Sequence, residues 1–181
     1  MDTICSTICS ESEEILFSLL GSKIQVAYSP RFLVTHGSST LESSSFSILM
    51  QDHRYLNLNC QWLETPINAF DYYQIVTSIS TTPAEISTKI NKGLAEPVFP
   101  VSLFSFENSN ELERISIYQE VVDLEEETLT YDKALLFNRK DGKRICFLSS
   151  DPAFRNLILV HDHEQIDDKI ASLSCRVNRS I

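Results

Sequence analysis

Between Tyr55 and Trp62 the side chains alternate strictly, with Leu56, Leu58, Cys60 and Trp62 on one side and Asn57, Asn59 and Gln61 on the other. A period of two fits a pleated strand with one buried face; on a helix it would scatter the apolar residues around the axis. Other segments read as strands in the same way: Lys23–Tyr28, Arg31–Thr35, Phe46–Met50, Tyr72–Ser80, Arg114–Val122, Leu129–Phe137, Arg144–Leu148 and Leu157–Val160. Ser29-Pro30, the polar stretch Gln51–Arg54 and Asp141-Gly142 supply turns between them, and Ser-rich His36–Ser45 reads as an exposed loop. Pro97 and Pro100 limit Val98–Phe106 to an edge strand, because proline cannot donate to a ladder.

Three segments read as helices. Ser10 and Glu13 have capping-box spacing ahead of the stripe Ile15, Leu16, Leu19 and Leu20, and Gly21 fits the stop. Thr82-Pro83-Ala84-Glu85 has a capping residue, Pro at the first helical position and an acid in the first turn, so a helix is expected that ends before Gly93. Asp162 caps the last helix, with Gln165 three residues on and Ile166, Ile170 and Leu173 on one face. Eight or nine strands with three short helices, in runs rather than alternating βα units, predict an α+β fold with mainly antiparallel pairing.

A chain of 181 residues is expected to form one domain over 1–181, long enough to bury about 70% of its unfolded surface without a disulfide or metal staple. One pattern suggests two similar hairpin-sheet halves, about 22–92 and 98–175. Cys60 precedes Pro66 by six residues as Cys146 precedes Pro152, although Leu58 then aligns with Arg144. No segment approaches the ~18–20 apolar residues of a membrane span. The five cysteines include no CxxC pair, and acidic Asp2, Glu11, Glu13 and Glu14 do not suit a secretory signal, so a reducing, cytoplasmic setting is expected. The repeated Thr-Ile-Cys-Ser holding Cys5 and Cys9 reads as a disordered tail, with acylation as an alternative.

The formal charge of −10 is unevenly placed: nine acids fall between Glu107 and Asp132 against Arg114 alone. Such a surface repels phosphates, so nucleic-acid binding is not expected, whereas a basic protein partner fits it. The alternative is a solvated face that only confers solubility. Asp123, Glu125, Glu126 and Glu127 are the candidate contacts. Trp62 and Tyr72, near Tyr73, Pro66 and Phe70, form a second candidate binding group, against the more usual reading that Trp62 and one Tyr fill the core between two sheets. The basic run Arg139–Arg144 falls on a hairpin tip, where ion pairs to Glu125–Glu127 would account for it.

Chemistry-bearing motifs are sparse. His161 and His163 would share a strand face as metal ligands, with Glu164 or Asp167 to complete a site, but capping at Asp162 would turn the backbone and part the rings. Cys60 and Cys146 lie in apolar strands, where thiols are inert, and there is no G-x-S-x-G elbow. The four glycines are isolated, which excludes a Walker loop or a G-x-G-x-x-G turn, and acids are too many to single out a glycosidase pair. No cofactor is expected. In size, acidity and lack of catalytic signatures the chain is similar to small bacterial immunity proteins and inhibitors, a class analogy that implies binding rather than catalysis. The expected function is thus a non-catalytic module for a basic partner. The alternatives are a metal-dependent or small-molecule-binding enzyme using His161 and His163, and an oligomer pairing through Val98–Phe106.

Overall fold

The computed structural model describes residues 2–34, 39–98, 100–150 and 156–181, without the side chains of 107–109. Its elements run β1 (Asp2–Ser6), α1 (Ser10–Phe17), β2 (Lys23–Ser29), β3 (Leu33–Val34), β4 (Thr40–Ser43), β5 (Ser45–Leu49), β6 (Tyr55–Glu64) and β7 (Asp71–Ser80). The chain continues through β8 (Thr88–Asn91), β9 (Leu94–Pro97), β10 (Ser102–Asp123), β11 (Glu127–Arg139), β12 (Arg144–Ser149), β13 (Leu157–Val160), α2 (His163–Ile170) and β14 (Ser174–Ser180). The fold is mostly β, with fourteen strands and two helices among the described residues, which corrects the expected α+β class with its eight or nine strands and three helices.

One long strand organises it. Ser102–Ser105 and Asn110–Glu111 of β10 pair with β2, with a register shift between Ser105 and Asn110, whereas Leu112–Asp123 pair with β11. Between Glu111 and Leu112 β10 exchanges β2 for β11 and so joins the two layers, and the sheet runs β3-β4-β13-β12-β11-β10-β2-β5-β6-β7. β14 adds to β10 antiparallel, and β1 adds to β11 as the one parallel pair among the described residues. The layers face each other across an aromatic centre: Phe147 of β12 has its ring centroid 5.5 Å from Phe46 of β5 and 5.6 Å from Phe137 of β11.

The nearly continuous apolar runs of β11–β13 follow from burial on both faces. Leu135, Phe137, Ile145, Phe147, Leu157 and Leu159 point into the core between the layers. Their neighbours Ala134, Leu136, Cys146, Leu148 and Val160 point outward, where α2 covers them with Ile166, aided by Ile170 and Leu173. α2 forms as expected, with Asp162 accepting the Gln165 N–H at 3.0 Å. α1 also forms, but Cys9 is its capping residue and Ser10 lies inside the helix, so the Ser10/Glu13 box is not made.

The expected helix after Thr82 is replaced by a turn and a hairpin. Asn57 on β6 draws this backbone in: its Oδ1 accepts the Ala84 N–H at 3.1 Å and its Nδ2 donates to the Thr82 carbonyl at 3.3 Å, while Ser47 Oγ accepts the same Ala84 N–H at 2.9 Å. Glu85 then has φ +56°, outside the helical region. Lys92 and Gly93 have φ +49° and +83° between the paired Asn91 and Leu94, as a type I′ turn requires. Gly93 is therefore a hairpin residue and not a helix stop.

Further corrections concern strands. The first Thr-Ile-Cys-Ser lies in β1 and the second leads into α1, so neither is a loose tail; β4 lies within the expected loop, and β14 is an additional strand. From Ser102 the expected edge strand is hydrogen-bonded to β2 and merges with Arg114–Val122 into β10. The readings at Thr35–Ser38, at Phe99 and at Pro152 lie outside the described residues. No helix among the described residues is long and apolar enough to cross a membrane.

Candidate functional site

The acids expected to bind gather at the β10–β11 hairpin. Leu124 donates its N–H to the Glu127 carbonyl at 2.8 Å, closing a tight turn that leaves Asp123, Glu125 and Glu126 exposed. Glu127 is different. It is fully buried, and its carboxylate accepts the N–H groups of Ile67 and Asn68, each at 3.0 Å. Burial pushes its pKa up, but the Asn68 and Ile67 N–H donors and the Thr65 hydroxyl more than offset this and hold the carboxyl below the usual glutamate range. Glu127 thereby clamps the acidic turn to the β6–β7 connection.

That clamp brings an apolar side chain among the acids. Ile67 is 47% exposed, and Asp2, held by its N–H bond to the Glu126 carbonyl at 3.1 Å, reaches the same place. Asp2, Ile67, Glu125 and Glu126 line one open hollow. Beneath it Tyr72, Leu129 and Tyr131 form a small core with Ile4, Leu63, Phe70 and Val122, the two tyrosine rings 5.1 Å apart. Tyr72 is thus packed under the hollow. Trp62 stands exposed on the β6 segment leading to it, its indole N–H donating to Asp71 Oδ1 at 2.9 Å. Asp2 and Ile67 escaped the sequence reading, because neither shows its place until β1 pairs with β11.

The basic hairpin lies at the other end of β11, and over 13 residues at ~3.3 Å each that is about 40 Å from the acidic turn. Its ion pairs are accordingly local rather than to Glu125–Glu127. Arg139 Nη2 meets Asp141 Oδ2 at 2.6 Å, Lys140 pairs with Glu111, and Arg144 grips Asp167 of α2 through two bonds of 2.6 and 2.9 Å. The Arg144 hydrogen bond holds the Asp167 carboxyl below its ordinary range.

His161 and His163 both line a cleft beside this hairpin, so the turn at Asp162 does not send them to different sites. The formally charged side chains on its described wall are Arg139, Lys143 and Arg144, none of which is a usual metal ligand. Among the described residues no three His, Cys, Asp or Glu side chains come together as a metal site. The strand cysteines Cys60 and Cys146 have thiols pushed up to about 12 by burial, which removes them as nucleophiles near neutral pH.

Sheet and sites together define a two-layered antiparallel β protein, with an acidic hollow at one end and a basic cleft at the other. Comparison with protein-family models, with curated proteins and with solved structures finds no match to this chain.

Proposed function

We propose that this protein is a non-catalytic binding module of the cytoplasm that engages a basic protein through the hollow formed by Asp2, Glu125, Glu126 and Ile67. The observation that carries the reading is the arrangement itself: three carboxylates around one exposed isoleucine, on a turn fixed by the buried Glu127. A lysine or arginine can lay its apolar stem on Ile67 and its charge among the carboxylates. Because the clamp sets the turn beforehand, little ordering entropy is lost on binding. Trp62 offers a further contact at the same end, with Asp123 on the rim, while Glu127 and Tyr72 act from beneath. All five cysteines are free thiols, which supports a reducing compartment.

The test is capture from a cell extract by the wild-type chain and by the double variant Glu125→Lys/Glu126→Lys, at low and at high salt. Both positions are exposed, so the fold should survive. The reading expects a basic protein that the wild type retains at low salt, releases at high salt, and that the variant does not retain. The same proteins held by both chains at either salt would refute it.

A further inference from the structure

The link from β1 to α1 borders a cavity of about 170 Å³ against β6 and β7, walled by Thr7, Ile8, Cys9, Ser12, Gln61 and Gln74. Ser12 ties the helix to β7: its Oγ donates to the Thr77 carbonyl at 3.2 Å, and its carbonyl accepts the Thr77 hydroxyl at 3.4 Å. Cys9 stands at the start of that helix with an exposed thiol, which donates to Ser12 Oγ at 3.3 Å. Cys5 and Cys175 are exposed as well, but neither shares this cavity.

Two carboxamides share the cavity with the thiol. Gln61 and Gln74 are directly opposite on β6 and β7, so their side chains leave the sheet on the same face. Gln74 is only 7% exposed; its Oε1 accepts the Ser6 hydroxyl at 2.7 Å, while its Nε2 donates to no protein group. The carboxamide of Gln61, exposed on β6, is likewise without a partner. A carboxamide offers both a donor and an acceptor, the complement of a peptide group. A donor as enclosed as Gln74 Nε2 gains most from an acceptor that a ligand brings.

We infer that Cys9 is a modification site that accepts a short uncharged cysteinyl peptide in disulfide linkage, its amide groups held by Gln61 and Gln74. The cavity is smaller than the ~300–1,000 Å³ of common ligand pockets, which fits about one residue of peptide and not a large ligand. Glu11 acts on the thiol through its charge and would disfavour an anionic peptide. In the reaction the Cys9 thiolate attacks one sulfur of a peptide disulfide. A new S–S bond forms to Cys9, the old one breaks, and its electron pair leaves on the second peptide as a thiolate, which takes up a proton. Cys9 is oxidised and the departing thiol reduced, so no further oxidant enters. Hydrogen bonds from the Ser12 hydroxyl and N–H favour the attacking thiolate. In a reducing compartment excess thiol reverses the adduct. The site is independent of the acidic hollow.

The full chain is to be treated near neutral pH with two uncharged disulfides: N-acetylcysteinamide disulfide, which carries peptide groups, and bis(2-hydroxyethyl) disulfide, which has none. Mass spectrometry reads the rate at Cys9 against Cys5 and Cys175 in the same chain. The preference for Cys9 should be about fivefold greater with the peptide disulfide, as one or two hydrogen bonds would give. Gln61→Leu, at an exposed position, should remove that excess and leave the Cys9 rate with bis(2-hydroxyethyl) disulfide unchanged. Equal preference with both reagents, or an excess that survives Gln61→Leu, would overturn the inference and leave Cys9 an ordinary reactive thiol.

Discussion

Three parts of the chain meet on the carboxylate of Asp132, which is wholly buried on β11. Arg176 of β14 donates from Nε at 2.9 Å and from Nη2 at 2.7 Å, and the Ile8 N–H donates at 2.7 Å. The same guanidinium reaches Glu13 of α1 at 2.5 Å. Asp132→Asn keeps the shape and removes the charge. Breaking a buried ion pair costs ~3–5 kcal/mol, but Arg176 retains Glu13 and its side chain is 22% exposed, so the loss here should be about 2–3 kcal/mol. At ~2–4 °C per kcal/mol for a chain of this size, the melting temperature should fall by about 4–12 °C. Urea unfolding with an unchanged slope would read the difference directly. Arg176→Met should cost a similar amount, and the double variant little more than either single one, because the two positions share one interaction. A change under about 0.5 kcal/mol for Asp132→Asn, or full additivity in the double variant, would refute the reasoning.

Other outcomes are equally specific. Cys9 is exposed, and the Ser12 hydroxyl and N–H hold its thiol below the ordinary range; a disulfide reagent at pH 8 should modify Cys9 fastest, and Cys146 only after unfolding. Because the folded pKa of Glu127 is depressed, its stabilisation is complete above the ordinary glutamate value and fades as pH falls below it. Wild type and Glu127→Gln should therefore differ most at pH 6–7 and converge only as pH falls through the depressed folded pKa, as read by amide exchange at Ile67 and Asn68. Asp162→Ala removes the α2 cap and should cost about 1 kcal/mol in chemical denaturation. Phe147→Ala, in the fully buried centre between the layers, should cost about 3–5 kcal/mol.

The strand runs were legible where a local pattern reports burial. In Tyr55–Trp62 the alternation marks Leu56, Leu58 and Cys60 as core-facing, but Tyr55 and Asn57 are buried as well and Trp62 is exposed; Leu157–Val160 is wholly apolar because β13 is covered on both faces. Helix α2 was legible because Asp162 and Gln165 make a local cap. The helix expected after Thr82 failed for a nonlocal reason: Asn57, 27 residues before Ala84, takes its N–H, and that competition leaves no local mark. β1 likewise depends on a parallel pairing with Glu127–Tyr131, and β14 is too polar to announce itself. At the candidate site the acids were visible as a cluster. Their division into exposed Glu125 and Glu126 and the buried clamp Glu127 rests on a turn at Ile67–Asn68, far off in sequence. His161 and His163 were visible as a pair, but the basic side chains that share their cleft came only from the placement of Arg139, Lys143 and Arg144.

The most direct test of the binding module is an amide NMR titration of the chain with a short lysine-rich peptide at low ionic strength. With a net charge of −10, diffuse attraction alone would perturb acids over the whole surface, Glu164 and Asp168 of α2 included. The account predicts shifts concentrated at Asp2, Ile67, Glu125 and Glu126, and their loss in Glu125→Lys/Glu126→Lys. Even perturbation of all exposed acids, or a response centred away from the hollow, would contradict it.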